Sequence, residues 1–89
     1  MKMKKVTMFT MASCPYCRQA RKWMEELMEE YPEYANVELE IIDETQQPEI
    51  ANRWDYYYVP TYFLEKEKLH EGAATKQKVQ RVFERALQA

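Results

Sequence analysis

The chain has 89 residues, 13 of them lysine or arginine and 15 aspartate or glutamate, giving a formal charge of −2 at pH 7. So short a chain makes one domain over residues 1–89, with a single core and little margin, because small domains bury a smaller fraction of their surface. The near balance of charge removes the electrostatic case for nucleic acid or an anionic membrane as partner, and no stretch approaches the roughly 20 apolar residues of a membrane span. The basic start Met1-Lys2-Met3-Lys4-Lys5 imitates an export signal, but the apolar run behind it extends only from Val6 to Met11 with Thr7 and Thr10 inside, short of the roughly 7 to 15 apolar residues such a signal carries. A soluble, cytoplasmic monomer is the expectation.

In chain order, Lys4 to Thr10 is rich in β-branched and aromatic residues and apolar on both sides, which predicts a central strand covered on two faces. From Cys17 to Tyr31, the residues Cys17, Ala20, Met24, Leu27, Met28 and Tyr31 recur at spacings of three and four with charged residues between, a helix with one buried stripe that Pro32 ends. Val37, Leu39 and Ile41 alternate with Glu38 and Glu40 as a half-covered second strand. A brief helix follows, capped near Thr45 or Gln46, with Ile50, Ala51 and Trp54 as its apolar face and its end near Asp55. Thr61 to Glu65 is a third strand, the charged stretch Glu65 to Lys68 a hairpin turn, and Lys68 to Glu71 a fourth strand. Gly72 punctuates, and Val79, Val82, Phe83, Ala86 and Leu87 mark a final helix from Lys76 to the C-terminus.

The order strand, helix, strand, helix, strand, strand, helix needs a crossover between the first two strands and a hairpin between the last two. This predicts an α/β fold with a four-stranded mixed sheet and helices on both faces.

The chain contains two cysteines, Cys14 and Cys17. A bridge between them closes too small a loop to stabilise the fold, because chain-entropy stabilisation grows with loop length, so the pair needs another reason. Their position supplies it. Cys14 stands between a strand and a helix, where the helix dipole and the unpaired N–H groups of the first turn favour thiolate over thiol. Free cysteine titrates near about 8.5, and cysteines so placed at about 3.5 to 7.5. Pro15 suits the first turn, since its missing N–H would have no partner there. A closed zinc site needs four ligands, and Cys14, Cys17 and the distant His70 do not complete one, so no metal site is expected within one chain.

Cys14-Pro15-Tyr16-Cys17 after a strand resembles the glutaredoxin active site within the thioredoxin superfamily, and Val59-Pro60-Thr61 resembles the Val-Pro that this superfamily places opposite its cysteines. The resemblance implies a minimal thioredoxin fold and a thiol-disulfide oxidoreductase. In it Cys14 attacks, Cys17 resolves, Val59–Pro60 is a cis bond, and Pro15, Tyr16, Tyr58, Val59, Pro60, Thr61 and Gly72 meet the substrate. It implies no tightly bound cofactor, and disulfide-containing proteins as substrates.

The two ends of the chain resemble different branches. The active-site loop is similar to glutaredoxin, which makes glutathione a co-substrate and glutathione mixed disulfides substrates. The lysine that glutaredoxins commonly carry three residues before the first cysteine is Met11 here, however, and their Gly-Gly and aspartate give way to Gly72-Ala73-Ala74-Thr75. The C-terminal half is similar to thioredoxin, which implies a flavin-dependent thioredoxin reductase as electron donor, but the buried aspartate of thioredoxins is replaced by Met8. The dipeptide between the cysteines tilts the expectation toward the glutaredoxin type, with the thioredoxin type as alternative. A binding module of the same fold without turnover, or a carrier of an iron-sulfur cluster bridged between two chains, is the reading of another class.

Of the remaining residues, Arg18 and Arg21 read as solvated helix positions rather than sources of potential at Cys14. His70 reads as an exposed strand residue. Trp23 and Trp54 read as core, and at least one of Tyr56, Tyr57 and Tyr58 as rim near Pro60.

Overall fold

A computed structural model describes residues 4–88; Met1, Lys2, Met3 and Ala89, with the expectations that fall on them, lie outside the described residues. The strands are β1 (Val6–Thr10), β2 (Leu39–Asp43), β3 (Thr61–Leu64) and β4 (Glu67–Glu71), and the helices α1 (Pro15–Glu30), α2 (Pro48–Ala51) and α3 (Lys76–Gln88). They form one four-stranded sheet in the order β2-β1-β3-β4. β1 is parallel to β2 across the α1 crossover and antiparallel to β3, and β3 is antiparallel to β4. This is the minimal thioredoxin fold expected from the order of elements.

The buried pattern of β1 explains its central place, since all five of its residues are buried. Val6 and Met8 join Ala20, Met24 and Leu27 of α1 and Val79, Val82, Phe83 and Ala86 of α3 in the larger core. On the other face Phe9 meets Ile42, Ala51 and Phe63, with Trp54 and Tyr56 packed against them. Phe9 stacks on Tyr56 at 4.7 Å between ring centroids and meets Phe63 edge-on at 5.8 Å. Trp23 and Trp54 are both half-buried against these cores.

Several boundaries and faces differ from expectation. A turn of 3₁₀ helix, Pro32–Asn36, follows α1 and carries Tyr34 into the core, where its ring stacks on Phe83 at 5.0 Å. In β2 the alternation does not mark the buried face: Ile41 is exposed and Ile42 is buried. The reason is that β2 is an edge strand. Leu39 and Ile41 pair with Val6 and Met8 on the α1 and α3 side, which does not extend over Ile41, whereas Ile42 beside Phe9 is covered from the other face. The short helix is capped at Gln47 rather than at Thr45 or Gln46, and Pro48 begins it. Thr45 instead donates both its N–H and its hydroxyl to the Asp43 carboxylate. The β3–β4 hairpin turns through Glu65 and Lys66, with Glu65 at φ +52°, a conformation that such turns more often give to Asn or Gly.

The register gathers the ends of four elements. Thr10 closes β1 beside Asp43, Thr61 opens β3 beside Phe9, and Glu71 closes β4 opposite Thr61. The Met11–Ser13 turn leading into α1 starts from the same end of the sheet.

Candidate active site

Cys14 is the N-cap residue of α1. Its N–H donates to the Met11 carbonyl at 3.1 Å, closing the turn out of β1, and its own carbonyl accepts the first helical bond from the Arg18 N–H at 3.1 Å. The backbone at Cys14 is extended, at φ −86° and ψ 118°, and Pro15 fills the first helical turn. The Cys14 side chain makes no capping hydrogen bond, so the first-turn N–H groups are left facing its sulfur. Partial burial acts to raise its pKa, but the Cys17 N–H, the Cys17 thiol, the Tyr16 N–H and the Arg18 charge outweigh it, and the pKa lies below the ordinary thiol value. The Arg18 guanidinium also donates to the Ala12 carbonyl at 3.1 Å. Arg18 is thus exposed on α1 as expected of a solvated helix residue, but it is tied to the loop that carries Cys14 and its charge contributes there, contrary to expectation.

Cys17, one turn into the helix, is 1% exposed. Burial is the main cause that pushes its pKa up, opposed by the Thr10 hydroxyl and the Met11 N–H and reinforced by Cys14. Both cysteines are free thiols in this structure. Tyr62 lies on the same side of the sheet as Met8, and its hydroxyl donates to the Met24 sulfur at 3.3 Å. The pair is thus asymmetric, one sulfur accessible and biased toward thiolate, the other enclosed and biased toward thiol.

The Val59–Pro60 bond is cis, and Pro60 is buried at the same end of the sheet. Among the described residues, the Val59 N–H and carbonyl take part in no backbone hydrogen bond. The turn around them is held from behind. Thr61 donates its hydroxyl to the Tyr58 carbonyl, the Gly72 N–H donates to the Pro60 carbonyl at 2.9 Å, and Gly72 has φ +91°, a conformation that glycine adopts without penalty. The Glu71 carboxylate accepts both the Tyr57 N–H, at 2.5 Å, and the Tyr58 N–H, at 2.9 Å. With the Lys68 ammonium bonded to its other oxygen, that carboxyl is held at about 2.

Of the residues singled out in the sequence, Pro15, Tyr16, Tyr58, Val59, Pro60, Thr61 and Gly72 all come to this end of the molecule. Tyr16 is 63% exposed and Tyr58 70%. Pro60 and Thr61 are buried, so their part is to shape the turn. His70 is half-buried rather than exposed, and its Nε2 lies 3.0 and 3.1 Å from the Gly72 and Ala73 carbonyls, which makes it a donor to backbone. Among the described residues, no three His, Cys, Asp or Glu side chains are grouped to hold a metal ion. Nor is any helix among them long and apolar enough to cross a membrane.

Sequence reasoning missed Thr10 and Glu71, and it weighed Arg18 as a source of potential at Cys14 but set it aside. Thr10 carried the one available signal, a hydroxyl at the end of a largely apolar strand, four residues before Cys14 in the sequence.

A four-stranded mixed sheet, a helix that begins at one of two cysteines and a cis-proline turn at the same sheet end define a thioredoxin-fold protein with a dithiol site. A family model described as the thioredoxin domain matches residues 4–84. The chain is 33% identical over 73 residues to a thioredoxin of Methanocaldococcus jannaschii, a match spanning 82% of this chain and 84% of that one. Among solved structures it is similar in fold to a thioredoxin of Fasciola hepatica, with TM-score 0.70 and 22% identity over 94% of this chain and 81% of that one. Thioredoxin O1 of Arabidopsis thaliana in its oxidised state aligns with TM-score 0.65 and 26% identity, covering 94% and 78% of the two chains. The chain belongs to the thioredoxin family. Fold, family and the cysteine pair together support a thiol redox function.

Proposed function

We propose that the protein is a dithiol thiol-disulfide oxidoreductase that reduces disulfides in other proteins. The observation that carries this reading is the asymmetry of the two cysteines at the start of α1. The Cys14 thiolate attacks a substrate disulfide, forming a mixed disulfide and releasing one substrate thiolate, which takes up a proton. Cys17 then gives up its proton, attacks the Cys14 sulfur and releases the second substrate thiolate. The products are a substrate with two thiols and a Cys14–Cys17 disulfide, the two electrons having come from the dithiol. The free backbone groups of Val59 suit an extended substrate segment that pairs with them while its sulfur is in reach.

The electron donor of this reading is a flavin-dependent thioredoxin reductase. Support comes from the 33% identical relative being named a thioredoxin and from Met11 and Ala73-Ala74-Thr75, which stand where glutaredoxins carry the lysine and the second glycine and aspartate of their glutathione contacts. The Cys-Pro-Tyr-Cys loop is the feature in favour of glutathione. The protein acts as a cytoplasmic monomer with no tightly bound cofactor.

NADPH consumption with insulin and with a glutathione mixed disulfide tests the assignment, with thioredoxin reductase or glutathione plus glutathione reductase as electron source. Turnover of insulin with thioredoxin reductase is expected. Turnover only with glutathione would make it a glutaredoxin, and silence with both would favour a binding module.

A further inference from the structure

Two large aromatic side chains stand in solvent immediately before the cis bond: Tyr57 is 85% exposed and Tyr58 70%. Loops that present such rings usually lose backbone entropy when a partner binds them. Here the backbone is already tied down by a side chain from another strand. Glu71 closes β4, two residues beyond Leu69, and its Oε2 accepts the N–H groups of both Tyr57 and Tyr58, while its Oε1 accepts from the Lys68 ammonium at 2.9 Å. The Thr61 hydroxyl holds the Tyr58 carbonyl, and the Tyr58 Cβ lies 3.9 Å from where a Cβ on Gly72 would stand. None of these ties engages a tyrosine ring or hydroxyl. A third exposed ring, Tyr16, lies between the two cysteines.

We propose that Glu71 is a positioning residue that fixes the Tyr57–Tyr58 backbone so that the two rings form a preformed contact surface beside the cysteines for an extended, apolar or aromatic segment of a protein substrate. Tyrosine suits this use because each ring presents a large amphipathic surface at little rotamer cost, and a fixed backbone reduces the ordering penalty on binding. This places substrate choice in the loop ahead of Pro60, a position the chemistry at Cys14 does not touch, and it rests on the thiol-disulfide reading given above.

The test compares kcat/KM for insulin with that for bis(2-hydroxyethyl) disulfide, a probe too small to reach the rings, with dithiothreitol recycling the enzyme so that no reductase contributes. Glu71→Ala is expected to lower the insulin-to-small-disulfide ratio about fivefold or more, through KM rather than kcat, the loss expected when a contact of hot-spot size is disordered. Glu71→Gln, whose amide oxygen still accepts both N–H groups, should recover most of it. Tyr57→Ala, which leaves the clamp in place, should lower the ratio in the same direction. An unchanged ratio in Glu71→Ala, a Glu71→Gln variant as impaired as Glu71→Ala, or a larger loss on a glutathione mixed disulfide than on insulin would overturn the proposal. Failure of the wild type to reduce either probe would instead remove the oxidoreductase reading itself.

Discussion

The Thr10 hydroxyl, at the end of β1, lies beside the Cys17 sulfur, and among the described residues it is the buried side-chain oxygen that has no hydrogen-bond partner. With both cysteines as thiols the geometry falls short of a hydrogen bond, yet the hydroxyl is near enough to lower the Cys17 pKa against the larger effect of burial. A buried hydroxyl without a partner costs stability in one state and becomes useful in another. In the proposed reaction, in which Cys17 ionises to attack Cys14, the hydroxyl would gain a charged acceptor.

Thr10→Val removes that hydroxyl at nearly constant volume. Thermal unfolding should show the variant equal to the wild type or up to about 1 kcal/mol more stable, since no satisfied bond is lost. Release of substrate from the mixed disulfide should slow by about tenfold or more, because a hydrogen bond to a charged group contributes about 1.5–3 kcal/mol. A strongly destabilised variant that resolves at the normal rate would contradict this role.

The pH dependence of Cys14 follows from the lowering of its pKa. Its reaction with iodoacetamide should reach half its maximal rate below the ordinary thiol pKa of about 8.5, and Arg18→Ala should move that midpoint upward. The corresponding stability has a definite sign. A group whose folded pKa is depressed favours the folded state above its unfolded value, and that contribution is lost as pH falls through the folded pKa. Cys17 has the opposite sign, since its raised pKa makes the folded state lose stability as pH rises beyond the ordinary thiol range.

The order of elements and the helix start at Cys14 and Pro15 were legible in the sequence, because each rests on local pattern or on a residue type with few alternatives, whereas the meeting of Val59 and Pro60 with the cysteines at one end of the sheet was expected from the family resemblance alone. What was not legible depends on partners distant in the chain. Tyr34 looks like a loop residue after Pro32 until Phe83, in the last helix, supplies the ring it stacks on. Ile41 and Ile42 exchange places because alternation does not reveal which strand lies at the sheet edge. Glu71 reads only as the end of the fourth strand, and the register of β3 with β4 is what brings its carboxylate under Tyr57 and Tyr58.

The Tyr34–Phe83 stack also gives a stability prediction. Phe83 is 2% exposed, and Phe83→Ala should cost about 3–5 kcal/mol in denaturant unfolding, a large share of the roughly 5–15 kcal/mol total of a small domain. Tyr57→Ala, at 85% exposure, should stay within about 0.5 kcal/mol of the wild type. Equal losses at the two positions would mean that α3 and the 3₁₀ turn do not share a core.

The most direct measurement is mass spectrometry of the reduced protein after incubation with a disulfide-containing protein, comparing the wild type with Cys14→Ser and Cys17→Ser. If Cys14 attacks and Cys17 resolves, Cys17→Ser accumulates a covalent adduct through Cys14, the wild type accumulates its internal disulfide, and Cys14→Ser forms neither. Turnover by Cys14→Ser, or an adduct trapped through Cys17, would contradict the assignment of roles.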